Sequence, residues 1–259
     1  MKIVFHPDFL PSYIYDPAAS AGRLDYALRE LQQRYPVIIP EPCLEEDVLR
    51  VHSLNHINYV KSYHELYPIA LLAAGSSIQA AQIALQGEFS FALCRPPGHH
   101  ASPTSCWGFC YFNNIAIAVQ SLIHNKFIEN ALIIDFDLHF GDGTSNFYSL
   151  IPQVDYYFIR GTSPPAFIKN LTTFLEGKKT DIIAVSAGFD RHHNDWGRCL
   201  KNEDYYHIGE LLGAFAQKHA RGRLFSILEG GYNPQALGEG IISFLGGLES
   251  SIKLEQTGK

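Results

Sequence analysis

The sequence has no surplus of positive charge, no long apolar run and no cysteine framework. Its 20 lysines and arginines face 26 acidic residues, a net charge of −6, so no basic footprint points to nucleic acid as a direct partner. No apolar stretch reaches the roughly 18 residues of a membrane span. The opening Met1-Lys2-Ile3-Val4-Phe5-His6-Pro7 lacks the apolar centre of a secretory signal. The five cysteines are odd in number and not spaced as disulfide partners, which suits a reducing compartment. Together these absences lead to the expectation of a cytoplasmic protein with no nucleic-acid or membrane partner. Cys106 and Cys110 stand four apart, but two thiols without a second pair read as small packed hydrophobes rather than as metal ligands. There is no repeat, low-complexity segment or linker, so residues 1–259 are expected to form a single domain, long enough to bury a sizeable core.

What the sequence does have is an alternation of short apolar runs with helix-like segments. Strands are expected at Lys2–Phe5, Phe89–Cys94, Ala131–Asp137, Val154–Ile159, Asp181–Ser186 and Leu224–Leu228. Helices are expected from Asp16-Pro17 through Leu31, over Glu45–Arg50 and Asn55–Leu66, and from Pro68 to about Leu85. Four more are expected over Phe112–His124, Phe167–Leu175, Glu203–His219 and Gln235–Leu248. Such alternation predicts an α/β fold, a single parallel β-sheet flanked by helices on both faces. In these sheets ligands bind beyond the carboxyl ends of the strands.

The residues that follow the strands are accordingly informative. Ile133–Gly143 runs from β-branched apolar residues into two glycines, with Asp135, Asp137 and His139 alternating with Phe136 and Leu138. Alternate residues of a strand share a face, and carboxylates and an imidazole inside an apolar strand are costly without a partner. His99-His100 follow one strand, Asp190 another, and Glu229-Gly230-Gly231-Tyr232 a third. Polar residues beside glycine thus gather at one end of the sheet. Asp137, His139 and Asp190 form a three-ligand set that leaves a position open for water, the pattern of a catalytic metal site. Either His99 or His100 has the pKa for general acid–base work. Asp135 and Asp142 remain to orient them. Tyr232 can donate its hydroxyl to an oxyanion or simply plug the pocket.

Five segments, in order, carry a resemblance. They are Arg95-Pro96-Pro97-Gly98-His99-His100-Ala101, Gly108-Phe109-Cys110-Tyr111-Phe112-Asn113-Asn114, Asp135-Phe136-Asp137-Leu138-His139-Phe140-Gly141-Asp142-Gly143, Ser186-Ala187-Gly188-Phe189-Asp190 and Leu228-Glu229-Gly230-Gly231-Tyr232-Asn233. Together they resemble the histone deacetylase superfamily, and the Glu-Gly-Gly-Tyr form is similar to its class II and bacterial branch, which includes the acetylpolyamine amidohydrolases. The resemblance implies the arginase–deacetylase fold and hydrolysis of an acyl-amide with Zn2+ held by Asp137, His139 and Asp190; by ligand chemistry alone Fe2+ suits the same mixed N/O set. The resemblance also implies that Asp135 pairs with His99 and Asp142 with His100, with His100 the proton shuttle. It further implies that Tyr232 polarises the acyl carbonyl, that Phe109, with Gly108 and Gly230, lines the substrate channel, and that Asp195 is a supporting carboxylate.

The sequence also departs from that pattern. Phe140 stands where a second His often follows the ligand His, and Phe158-Ile159-Arg160 takes the place of a Ser–aliphatic–His segment that helps to hold potassium. The monovalent-cation site is therefore left open. The segments before Ala70 and before Asp181 are short, and no rim Asp that grips a peptide backbone is evident. The expected substrate is a small acylated amine or an acyl-lysine, unless an oligomer rebuilds the rim. Two other readings share the fold. An arginase-like ureohydrolase would carry an Asp two residues after the ligand His, where Gly141 stands. A non-catalytic pocket-binding module would keep the pocket without turnover.

Overall fold

The apolar runs assemble into one parallel sheet in the computed structural model, which describes residues 1–257. Its strands are β1 (Lys2–Val4), β2 (Val37–Ile38), β3 (Ser90–Ala92), β4 (Ala131–Asp135), β5 (Val154–Phe158), β6 (Ile183–Ala187) and β7 (Leu224–Leu228). They lie in the order β2-β1-β3-β7-β6-β4-β5 with every pairing parallel. Every residue of β3, β4, β6 and β7 is buried, as a parallel sheet covered on both faces requires.

The helices are α1 (Asp25–Leu31), α2 (Glu45–Leu49), α3 (Leu54–Lys61), α4 (Leu66–Leu85), α5 (Asn114–His124), α6 (Asp142–Tyr148), α7 (Pro164–Leu175), α8 (Asn202–His219) and α9 (Pro234–Thr257). Helix α4 packs on α5 and on β1, β3 and β7, while α8, α9 and α1 pack together. Phe136 and Phe189, beyond the ends of β4 and β6, meet Tyr205 of α8 and Phe244 of α9 in an edge-on aromatic cluster with centroids 5.1–6.4 Å apart.

Two local expectations are corrected, for the first helix and for α4, and two elements that the sequence does not signal, β2 and α6, are added. The first helix begins at Asp25, not at Pro17, because Asp16 Oδ1 closes a turn on the Ala19 N–H (2.7 Å) and Gly22 adopts φ +83°. Strand β2 is two residues long, too short to leave an apolar run. Helix α6 carries no helical signal in the sequence, because its Gly-Thr-Ser-Asn run is poor in helix formers. Helix α4 is long and apolar enough to cross a membrane by length and composition. It is a core helix here, with Ala70, Leu72, Ala73, Ala74, Ala80 and Ala81 buried.

One core contact predicts acid sensitivity. His52 is buried, its Nδ1 donates to Ser102 O (3.0 Å), and its Nε2 accepts the N–H of Asn113 (2.8 Å), the residue that caps α5. Burial, reinforced by neighbouring His56, pushes its pKa down to about 3. The unfolded value is about 6.5, so as pH falls the unfolded chain takes the proton first. The stabilisation is complete above the unfolded value and is lost toward pH 3, at about 1.4 kcal/mol per pH unit. Denaturant melts of wild type and His52→Gln should diverge in slope between about pH 6 and pH 4; parallel pH profiles would show that His52 is not the titrating group.

Candidate active site

The loop after β4 is built by side-chain turns. Asp135 Oδ1 accepts the Asp137 N–H (3.0 Å), and Asp137 Oδ1 accepts the His139 N–H (2.8 Å). Each carboxylate closes a two-residue turn on its own backbone, and the strand stops at Asp135. The expected strand to Asp137, with three polar side chains on one face, is thereby corrected: Asp137 and His139 sit on a bend. That bend meets the end of β6, where Asp190 Oδ1 accepts the Leu138 N–H (3.0 Å). Beyond β7, the Gly230 N–H donates to Asp137 Oδ2 (2.8 Å). A Cβ on Gly230 would stand 2.6 Å from Asp137 Oδ2 and 2.7 Å from Asp190 Oδ2, so a side chain there would keep these strand ends apart.

Asp137, His139 and Asp190 each offer one ligand atom, all within 4.8 Å of one another. His139 Nδ1 lies 3.3 Å from Asp137 Oδ1 and 3.1 Å from Asp190 Oδ2. Both carboxylates are buried. Burial pushes Asp190 up to about 6, and the Asp137 charge adds to it. Burial acts the same way on Asp137, but His99 and His139 outweigh it and hold that carboxyl below the usual range. Hydrogen bonds to the two carboxylates raise His139 to about 10. Asp190 Oδ2 is buried, with the His139 imidazole nitrogen rather than a backbone or hydroxyl donor as its near polar neighbour. A buried acidic pair closed around one imidazole, with no lysine or arginine paired to it among the described residues, fits a divalent cation better than a folding contact. With three protein ligands, such an ion keeps a position open, lowers the pKa of a water there and polarises a carbonyl.

A Cβ on Gly141 would collide with Asp135 Oδ2 and the Tyr156 hydroxyl. The position that a two-metal ureohydrolase fills with a carboxylate therefore has no room for one. His99, Cys110 and Glu229 form a second close group, but its atoms are already engaged. Glu229 Oε2 accepts the N–H of Gly98 (2.7 Å) and of His99 (3.2 Å), and Oε1 accepts the Ser186 hydroxyl (3.0 Å). Burial pushes the Cys110 thiol well up, so it stays protonated.

The structure pairs His99 with Asp135 and His100 with Asp142. His99 Nδ1 lies 3.1 Å from Asp135 Oδ2, which also accepts the Tyr156 hydroxyl (2.8 Å). His100 Nδ1 lies 2.6 Å from Asp142 Oδ1, while Asp142 Oδ2 accepts the Trp107 indole N–H (2.9 Å). The Trp107 ring covers His100, with centroids 3.9 Å apart. Burial alone would lower His99, but Asp137, Asp135 and Glu229 overcome it and raise His99 well above its ordinary value. Burial and the neighbouring His99 push His100 down to about 4. The charged form is thus favoured at His99 and the neutral form at His100. Its contact with Asp142 assigns the Nδ1–H tautomer and leaves Nε2 as a proton acceptor.

Tyr232 is delivered by the Gly230-Gly231 turn. Asp195 Oδ2 accepts the N–H of both Tyr232 and Asn233 (2.7 Å each), so this carboxylate fixes the Tyr232 backbone. The Tyr232 ring stacks on Trp196, centroids 3.9 Å apart at 20°. Arg23 lies 5.3 Å from the same ring and donates to Gly231 O (2.7 Å) and Glu229 O (2.6 Å). Burial, reinforced by Asp137, holds the Tyr232 hydroxyl above its usual pKa, so it remains a hydrogen-bond donor.

His99, His100, Gly108, Phe109, His139, Gly230 and Tyr232 line one cavity of about 300 Å3, together with Pro97, Trp107 and Trp196. Asp135, Asp137, Asp142, Asp190 and Asp195 are absent from that lining and support the groups that form it. Sequence reasoning gave Glu229 no role and missed Tyr156, Arg23, Trp107 and Trp196. Glu229 carried the signal that marked Asp135, a carboxylate at the end of an apolar strand. Tyr156 and Arg23 reach the site from distant segments, whereas Trp107 and Trp196 adjoin Gly108 and Asp195 and could have been found as their neighbours.

Residues 18–167 and 161–248 match the histone deacetylase domain. The chain belongs to the histone deacetylase family. A probable deacetylase of Archaeoglobus fulgidus is 31% identical, over 96% of this chain and 87% of its own length. The polyamine deacetylase HDAC10 of Danio rerio is 26% identical, over 82% of this chain and 41% of its own length. The crystal structure of the HDA15 HD domain superposes with a TM-score of 0.82 at 22% identity, covering 96% of this chain and 89% of that one. The single parallel sheet with flanking helices is therefore the fold of a histone deacetylase domain, the arginase–deacetylase fold. Family membership makes the chain a hydrolase of the deacetylase type, and this family is generally metal-dependent.

Proposed function

We propose that residues 1–259 act as one catalytic domain, a zinc-type amidohydrolase that removes the acyl group from a small acylated amine or acyl-lysine. The observation that carries this reading is convergence: the Asp137–His139–Asp190 set, a neutral His100 and the Tyr232 donor all meet at one narrow cavity. Trp107, Phe109 and Trp196 take the alkyl stem of the amine between them. Tyr232 donates to the acyl oxygen as it becomes an oxyanion. His100 Nε2 takes a proton from the attacking water and returns it to the amine nitrogen as the C–N bond breaks. Ferrous iron would satisfy the same mixed N/O set.

The mouth of the cavity favours a cationic amine. Trp107 and Trp196 flank it and are 55% and 51% exposed, and indole faces attract ammonium groups. A neighbouring depression of about 570 Å3 shares Phe109 and contains Asp16, a half-buried carboxylate. The net charge of −6 adds a long-range bias of the same sign. The kinship with a protein named as a polyamine deacetylase supports the same class. A panel of acetylated polyamines, free acetyl-lysine and acetyl-peptides tests this. Small cationic amines should show the higher kcat/KM; one peptide sequence exceeding them all by about a hundredfold would point instead to contacts made outside the pocket.

A further inference from the structure

Arg191 directly follows Asp190, yet its side chain turns away from the cavity, beneath the metal loop. It is 6% exposed. Its Nε donates to Asp137 O (2.9 Å) and its Nη2 to Leu138 O (3.3 Å). The guanidinium carbon lies 5.4 Å from the Phe158 ring and 5.2 Å from the Phe167 ring. Its own carbonyl accepts the N–H of Cys199 (3.0 Å) and of Leu200 (2.8 Å), which anchors the residue. A buried cation held by backbone carbonyls is a costly arrangement, and a packing role alone does not call for it.

The two peptide groups it grips are those that aim the metal ligands. In a planar trans peptide the C=O and N–H point in opposite directions. Arg191 holds the carbonyls of Asp137 and Leu138 on one side. On the other, the N–H of Leu138 meets Asp190 Oδ1 (3.0 Å) and the N–H of His139 meets Asp137 Oδ1 (2.8 Å). Fixing the carbonyls therefore fixes the donors that orient both ligand carboxylates. Phe158, which takes the place of the hydroxyl residue in the potassium-holding segment implied by the resemblance, presents a ring to the guanidinium. A potassium site does not fit this chain there.

We propose that Arg191 is the built-in cation of the metal loop, a positioning residue whose guanidinium replaces a monovalent ion and makes metal affinity independent of potassium. The proposal rests on the Asp137–His139–Asp190 metal reading. Its test is zinc affinity, measured by chelator competition on the apo-protein in potassium and in tetramethylammonium salts at equal ionic strength. Wild type should bind zinc equally in both. Arg191→Met keeps the stem and removes the charge and the fork; zinc affinity should fall about 10–100-fold, as for other groups that orient metal ligands. A lowered melting temperature of the metal-free variant with unchanged zinc affinity would show a packing role only and would overturn the proposal. If Arg191→Met does not fold, the wild-type comparison decides alone, and tighter zinc binding in potassium overturns the proposal. Wild type that binds no zinc in either salt would overturn the metal reading and this proposal with it; zinc binding that responds to potassium overturns only the latter.

Discussion

His100→Ala is expected to lower kcat by about 10²–10⁴-fold, the worth of general acid–base help, and to do more damage than His99→Ala. The two imidazoles are adjacent in sequence and in space, centroids 4.1 Å apart and tilted by 45°, but their surroundings separate them. His99 faces Asp135, Asp137 and Glu229, whose charges favour its protonated form. His100 is buried under Trp107 and lies beside His99, and these outweigh Asp142 and Asp137 and push its pKa down to about 4. A base held neutral that far down keeps the acid limb of kcat/KM from His100 near that value, not near an ordinary histidine's. Turnover of both variants, compared at equal metal content, checks the assignment. Equal losses would mean that neither imidazole alone shuttles the proton.

Tyr232→Phe is expected to retain fold and metal while kcat falls about 10²–10³-fold, the usual consequence of losing one oxyanion donor. The ring is held by features the substitution leaves in place: the Trp196 stack, the Arg23 contact and the two backbone N–H bonds to Asp195. KM should change little, since the hydroxyl acts chiefly on charge that develops in the transition state. A melting temperature within a degree or two of wild type, together with the kcat loss, would separate chemistry from packing. Near-normal kcat would reduce Tyr232 to a plug.

The contrast between what the sequence reveals and what it hides follows from range. Asp135, Asp137, His139, Asp190 and Tyr232 sit within a few residues of an apolar strand or a glycine turn, so a local pattern marks them. Even there, alternation pointed to Asp137 and His139 for the wrong local reason, since side-chain turns and not strand pleating place them. Arg23 acts on Gly231 across 208 residues and Tyr156 on Asp135 across 21. Nothing near either residue hints at its partner. Arg191 was hidden differently: it sits in plain view beside a ligand, and only the fold shows that its side chain turns back under the loop. The shortened first helix belongs with these, because the turn at Gly22 that cuts it back also leaves Arg23 outside the helix.

The central claim is that one divalent metal is held by Asp137, His139 and Asp190. Anomalous scattering from crystals of the zinc-loaded protein, collected on both sides of the zinc edge, tests it directly. The account predicts a single peak about 2.0–2.2 Å from one oxygen of each aspartate and from a His139 nitrogen. A peak elsewhere, for example at Cys110 and Glu229, or a second metal beside the first, would contradict it.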